Sequence, residues 1–325
     1  MTRVSAGPGE GPKSEAELPP LIVILGPTAS GKSALGIELA RRLAGEVVVC
    51  DSTQVYRHFD IGTAKVPPAD QHGITHHLTD LIEPAELFTA GEYRRRAISV
   101  LDDLKRRGKL PIITAGTGLY LRALLEGLAE APERSEELRA RLRTIAQARG
   151  RVYLHRILAR IDAEAARKIA ARDAQKTIRA IEIRLLTRKP VGDVHRSGRE
   201  TLQGFRVTKL GLSPKRDALY TRIDARARAM IAAGWLDEIR GILATGIPPD
   251  AKPFQFIGYA ELSDHLHGRI TLDQAIARIQ QTTRQFAKRQ FTWFRREPDV
   301  HWLEGFGDDP VVARNATKIL EAAIS

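Results

Sequence analysis

Eight residues near the start of the chain have types and spacing suited to phosphate chemistry. Gly26, Pro27, Thr28, Ala29, Ser30, Gly31, Lys32 and Ser33 read GPTASGKS and fit the pattern G-x-x-x-x-G-K-[ST] in full. Glycines let backbone N–H groups face an anion without a Cβ in the way, and a helix opening after the loop adds its positive end. Lys32 supplies a point charge, and the Ser33 hydroxyl can ligate Mg²⁺. A phosphate held here could be hydrolysed, transferred or released as a leaving group.

Two further positions bear on that choice. A nucleotide hydrolase usually carries an acidic residue at the end of another strand, to hold the metal and water. The apolar run at residues 110–114 ends instead in AGTGLY, with no carboxylate. The carboxylate nearest a strand end is Asp51, in VVVCDSTQVY. It could serve as a metal ligand, a helix N-cap or a general base. Gln54 and Tyr56 beside it could contact a flat base or simply pack. Thr117, between Gly116 and Gly118, offers a hydroxyl in a turn open to close approach, or an ordinary N-cap. Arg222 and Arg226 stand at i, i+4 on one helix face, where two guanidiniums could close over a diphosphate or form a surface pair with Asp224. His76 and His77 lack the spacing of a metal site, and a structural role suits them better.

The elements that must position these residues follow from the apolar pattern. Residues 21–25, 47–50, 110–114, 205–210 and 300–303 read as strands. The helical patterns cover residues 33–43, 90–107, 118–126, 215–233, 236–244, 259–267 and 272–295. Strand and helix alternating in this way predict an α/β fold, a P-loop NTPase-like parallel sheet flanked by helices. Residues 132–203 break the alternation. They are helical in pattern throughout and read as an inserted all-helical basic domain between core segments 21–131 and 204–325. Residues 1–20, rich in Gly, Pro, Ser and Glu, read as a disordered tail.

Charge supports that division. The chain has 325 residues and a formal net charge of +12. Residues 134–199 hold eighteen Lys and Arg against seven Asp and Glu, so nearly all the surplus sits in one segment. Such concentration suits a polyanionic partner such as nucleic acid. The late stretch TTRQFAKRQFTWFRR interleaves cations with Phe286, Phe291, Trp293 and Phe294. It suits stacking on exposed bases, or else a core stripe with a wet face. With a single cysteine, Cys50, the chain has no internal disulfide, and no apolar run is long enough to cross a membrane. A cytoplasmic, monomeric protein is expected.

Taken in order, GPTASGKS, DSTQVY, DIGTAK, HHLTD, AGTGLY, DAQKTIRAIEI, IGYAEL and TRQFAKRQFTWFR resemble the tRNA dimethylallyltransferases, or tRNA isopentenyltransferases, over residues 21–303. The resemblance implies transfer of a dimethylallyl group from dimethylallyl diphosphate to N6 of the adenosine 3′ of a tRNA anticodon, with Mg²⁺ as cofactor and diphosphate as product. It implies Asp51 as general base and Thr117 beside the reaction centre. It implies diphosphate binding by the P-loop and Arg226, and Mg²⁺ on Ser33. For tRNA contact it implies Asp51, Ser52, Thr53, Gln54, Thr117, Arg139, Gln175, Lys176, Thr177, Ile178, Arg179, Gly258, Tyr259, Arg284, Lys288, Arg289 and Gln290. Three residues depart from the family's usual pattern: Ala115 for Gly, Thr53 for Met or Ala, and Lys176 for Arg. Rival readings are an adenylate isopentenyltransferase acting on free AMP or ATP, a P-loop kinase of a small metabolite, and an RNA-binding protein with a relic P-loop.

Overall fold

Runs of β-branched and other apolar residues build one sheet. Its strands are β1 (Pro20–Leu25), β2 (Gly45–Cys50), β3 (His76–His77), β4 (Leu110–Ala115), β5 (Arg206–Leu212) and β6 (Val300–Leu303). The order is β3-β2-β4-β1-β5-β6, and every neighbouring pair is parallel. β2 and β4 are buried along their whole length, as strands covered on both faces must be. The chain is described here from a computed structural model, which covers residues 18–248 and 251–324. Residues 1–17 of the expected tail lie outside the described residues. Pro20, the last residue assigned to that tail, instead opens β1 and pairs with Arg206.

The chain divides into two compact units, Met1–Ala123 with Gln203–Ser325, and Leu124–Leu202. In the first, α1 (Lys32–Arg42) and α2 (Ala90–Arg106) follow the strand ends, and α3 (Gly118–Glu126) starts after β4. Thr89 caps α2 by accepting from the Glu92 N–H at 3.1 Å. Ile22, Ile24, Leu35, Leu39 and Leu210 form a core under the sheet. After β5 come α9 (Arg216–Ala232), α10 (Trp235–Ala244), α11 (Tyr259–Leu266) and α12 (Leu272–Phe294). They build a second core around Phe59, Trp235, Ile239, Phe254 and Tyr259. α13 (Pro310–Ile324) closes the unit by burying Val312, Ala313, Ala316 and Leu320.

The second unit holds α4 (Glu136–Arg149), α5 (Arg151–Ile161), α6 (Ala163–Lys168), α7 (Ala174–Thr187) and α8 (Val191–Arg196), with no strand among its residues. This unit begins at Leu124, within α3 and ahead of the expected position 132, and ends at Leu202. Ser135, Asp162 and Asp173 cap three of the helices. Leu154, Leu158, Ile178, Ile181 and Val194 pack as its core.

The centre of the helical unit is ionic. Glu182 is fully buried and accepts from Arg139 at 2.8 and 2.9 Å, Arg179 at 2.5 Å and the Ser135 N–H at 2.9 Å. Burial alone would raise its carboxyl. The Arg139 and Arg179 guanidiniums outweigh burial and hold it at about 2.

A candidate active site at the carboxyl edge of the sheet

Parallel strands deliver their C-terminal loops to one edge, where open α/β sheets bind ligands. The loops after β1, β2 and β4 meet there in a cleft of about 1220 Å³. Its lining includes Gly31, Lys32, Ser33, Asp51, Thr117 and Arg226. The P-loop turns through left-handed backbone at Ala29 (φ 62°) and Gly31 (φ 88°). A side chain on Gly31 would meet the Gly307 N–H at 2.6 Å, because the loop after β6 lies against it. That loop is tied on by the Gly307 N–H, which donates to Ser30 O at 2.8 Å.

Lys32 points back over its own loop and donates to Pro27 O at 2.8 Å. Ringed by protein yet open to the cleft, its ammonium is lowered to about 8, chiefly by burial. Asp51 works against that shift and Arg226 adds to it. Burial, with Arg222 nearby, also lowers Arg226. Arg226 makes no hydrogen bond or ion pair among the described residues. Arg222 is instead engaged, through a bidentate pair with Asp308 at 2.7 and 2.9 Å. Its guanidinium lies 4.7 Å from the Phe306 ring centroid. The two arginines expected to act together therefore differ, one docked and one free. Asp224, the alternative partner, pairs with Arg284 at 2.5 Å.

Asp51 follows β2. One of its oxygens, Oδ1, accepts from the Thr53 N–H at 2.8 Å and from the Thr53 hydroxyl at 2.7 Å. The other, Oδ2, faces Gly116, where a Cβ would come within 2.6 Å. The Thr117 hydroxyl accepts from the Ser52 N–H at 3.0 Å and donates to Ser52 Oγ at 3.2 Å. The β2 and β4 loops are thereby locked together, with one carboxylate oxygen left uncommitted.

Gln290, on α12, joins this pair of loops to the P-loop. Its amide accepts from the Thr28 N–H at 2.7 Å and donates to Gly116 O at 2.7 Å. A second wall of the cleft is built by Lys65, whose ammonium reaches Tyr56 O at 2.6 Å, Asp60 at 2.7 Å and Asp80 at 2.5 Å. Glu238 accepts from the Asp60 and Ile61 N–H groups and from the Tyr259 hydroxyl. Gln54 donates to Thr63 O and Ala64 O. Lys65, Glu238 and the bridging role of Gln290 escape sequence reasoning. The motif DIGTAK contains Asp60, Ile61 and Lys65 but not their partners Asp80 and Glu238.

Other expected site residues fall differently. Thr177 and Ile178 are buried in the core of the helical unit, and Tyr259 is fully buried with its hydroxyl on Glu238. These three side chains face the protein interior and leave little or no surface to solvent, unlike the exposed contacts that the resemblance implies. Gly258 lies flush against Trp235, with no room for a Cβ. Arg139 and Arg179 are committed to Glu182. Gln175, Lys176, Lys288 and Arg289 are exposed. Tyr56 is buried against Phe256 and does not present a face to a base. His76 and His77 pair with β2, and His77 contacts Glu46 at 2.6 Å.

Among the described residues no cluster of three or more His, Cys, Asp or Glu could hold a metal ion. A cation here would depend on the Ser33 hydroxyl, which lines the cleft without a hydrogen-bond partner among the described residues, and on oxygens brought by a ligand. Among the described residues no helix is long and apolar enough to cross a membrane.

The chain is 51% identical over 297 residues to the tRNA dimethylallyltransferase of Solibacter usitatus, covering 91% of this chain and 96% of that one. Identity to the corresponding protein of Koribacter versatilis is 52% over 305 residues, covering 94% and 99%. Among solved structures, the tRNA isopentenylpyrophosphate transferase of Bacillus halodurans superposes with a TM-score of 0.69 at 35% identity, covering 94% and 96%. A eukaryotic dimethylallyltransferase acting on tRNA gives 0.75 at 27% identity, covering 94% and 77%. The family model described as IPP transferase matches residues 54–297. The chain belongs to the IPP transferase family.

Proposed function

We propose that this protein is a tRNA dimethylallyltransferase. Its prenyl donor is dimethylallyl diphosphate, and the acceptor is N6 of the adenosine 3′ of the anticodon. The observation that carries the reading is the single cleft holding a P-loop, an unpaired Arg226 and a carboxylate, Asp51, with one oxygen uncommitted. Its lining also includes Ile223, Ala227, Met230 and Phe286, apolar surface suited to a prenyl chain.

The bond from the prenyl carbon to the diphosphate oxygen breaks as the bond from N6 to that carbon forms. Lys32, Arg226 and the P-loop N–H groups stabilise the charge that develops on the departing diphosphate. Asp51 takes the proton released from N6, and Thr53 fixes the carboxylate so that Oδ2 is the oxygen presented. Thr117 holds the Ser52 segment against the β4 loop, so the base does not drift. Mg²⁺, carried by the diphosphate and Ser33, would add Lewis-acid neutralisation of that charge. Exposed cations of the helical unit, Lys176 among them, suit the phosphate backbone of an anticodon stem. Cytoplasmic, monomeric action is part of the same proposal.

Incubation of the protein with dimethylallyl diphosphate, Mg²⁺ and unmodified tRNA, followed by mass analysis of the nucleosides, should yield prenylated adenosine. Prenylation of AMP without prenylation of tRNA would overturn the reading in favour of a free-nucleotide enzyme. ATP-dependent phosphoryl transfer without prenylation would favour a kinase.

A further inference from the structure

The aromatics of α12 divide by face. Phe294 is fully buried, and Phe291 packs against Trp302 at 5.9 Å. A different stripe, Ile279, Thr283, Phe286, Gln290 and Trp293, recurs every three or four residues, which sets the five on one face of the helix. The first four line the cleft. Trp293 continues the same face one turn further, past Gln290 and over Gly118. Gly118 directly follows Thr117, and a Cβ there would lie 2.2 Å from the Trp293 ring nitrogen. The five-membered ring of the indole therefore rests against the first turn of α3 where only glycine fits, yet the residue stays 41% exposed. Leu119, the residue after Gly118, is 51% exposed. Arg289, also exposed, sits 5.8 Å from the Phe286 ring centroid.

A large aromatic ring left in solvent loses the gain of burial unless something covers it. Here it is held by glycine at the rim of the cleft that carries Asp51 and Thr117. We propose that Trp293 is a stacking platform for an unpaired nucleobase of the RNA substrate, a neighbour of the base that enters the cleft. The inference rests on the reading of that cleft as the site of an RNA prenyltransferase. A base that leaves its stack to reach a buried site exposes the faces of its neighbours, and an aromatic ring recovers that stacking. Every base has such a face, so the platform adds affinity for an open loop without selecting its sequence.

The test uses full-length protein with Trp293→Phe, Trp293→Leu and Trp293→Ala. Steady-state prenylation is measured against unmodified tRNA, with melting temperature recorded for each variant. Loss of base–aromatic stacking should raise KM for tRNA roughly 5- to 150-fold in the Ala and Leu variants. The Phe variant, which keeps a ring, should stay close to the parent, and KM for dimethylallyl diphosphate should not change. Tryptophan fluorescence of the parent should be quenched by a 17-nucleotide anticodon stem-loop, and the Phe variant should lose that quenching. Equal KM for tRNA in parent and Ala variant overturns the platform while leaving prenyl transfer standing. So does self-association of the parent that the Ala variant abolishes without a change in KM. A parent protein that neither binds nor prenylates RNA overturns the reading of the cleft and the platform with it.

Discussion

Gln290 is the side chain through which the diphosphate end of the cleft and the Asp51 end hold each other in place. Replacing it by leucine keeps the volume and removes both hydrogen bonds. Gly116 is buried, so its carbonyl loses its partner with little prospect of water. Leaving such a group unsatisfied costs about 1–3 kcal/mol. The Thr28 N–H is partly open to the cleft and can turn to water, which limits its share to about 1 kcal/mol. Gln290→Leu should therefore destabilise the first unit by about 2–4 kcal/mol, read as a fall in the denaturant midpoint at unchanged slope. Its effect on turnover should exceed what stability explains. Displacing a reacting group by about 1 Å can cost roughly 100-fold in rate. In folded protein, well below the melting temperature, kcat should fall about 10- to 100-fold with smaller changes in KM for tRNA. Gln290→Glu sharpens the test. It can still accept from Thr28, but an ionised carboxylate is repelled by Gly116 O, so it should resemble Leu. If Gln290→Leu keeps both its midpoint and its kcat, the two loops are positioned by other contacts and the bridge is incidental.

Asp51→Asn should lose about 100- to 10,000-fold in kcat with tRNA affinity kept within a few-fold, checked by single-turnover prenylation and filter binding. Lys32 is lowered to about 8, so its charge is present below that pH and lost above it. Affinity for inorganic diphosphate, read by calorimetry, should weaken as pH rises through 8, and Lys32→Met should remove that pH dependence. Glu182→Gln should destabilise the helical unit by about 3 kcal/mol, because it leaves Arg139 and Arg179 with a neutral partner in the core. Helical ellipticity on chemical denaturation is the readout. Glu46, held at about 2 mainly by Arg107, and Glu182, also at about 2, both have folded pKa values below the unfolded carboxylate value. Their stabilisation is complete above about pH 4.5 and is lost as pH falls toward 2. Acid titration should therefore show stability falling through that window, and Glu182→Gln should flatten the part that belongs to the helical unit.

The P-loop and the sheet were legible in the sequence because both rest on local pattern. Apolar runs before and after GPTASGKS could only be buried strands. β3 escaped because two residues carry no period. α13 is legible only in retrospect, in Val312, Ala316 and Leu320 at helical spacing. In the site, residue types announced Lys32, Asp51 and Thr117. Thr53 and Pro27 hold Asp51 and Lys32 locally, whereas the contacts that join one loop to another are long-range and left no local trace, as between Ser52 and Thr117 or Gln290 and Thr28. The basic segment was read as an RNA surface, and charge counting alone could not reveal that two of its arginines turn inward to a buried glutamate.

The glycines of the motifs carry a more general argument. From sequence, the glycines flanking Thr117 suit either the close approach of a ligand or an ordinary turn. Three motif glycines outside the P-loop instead make room for indoles, Gly62 and Gly258 for Trp235 and Gly118 for Trp293. Gly62 and Gly258 clamp one tryptophan between DIGTAK and IGYAEL, so the wall that Lys65 and Glu238 tie together is also set by packing. A β-carbon at any of the three would have to displace a rigid ring rather than a flexible chain. Alanine at Gly62 should thus move the cleft wall without touching a reacting group. At Gly118 it should lift the Trp293 platform away from Thr117, while the sheet, the P-loop and the Asp51–Thr53 contacts stay as they are.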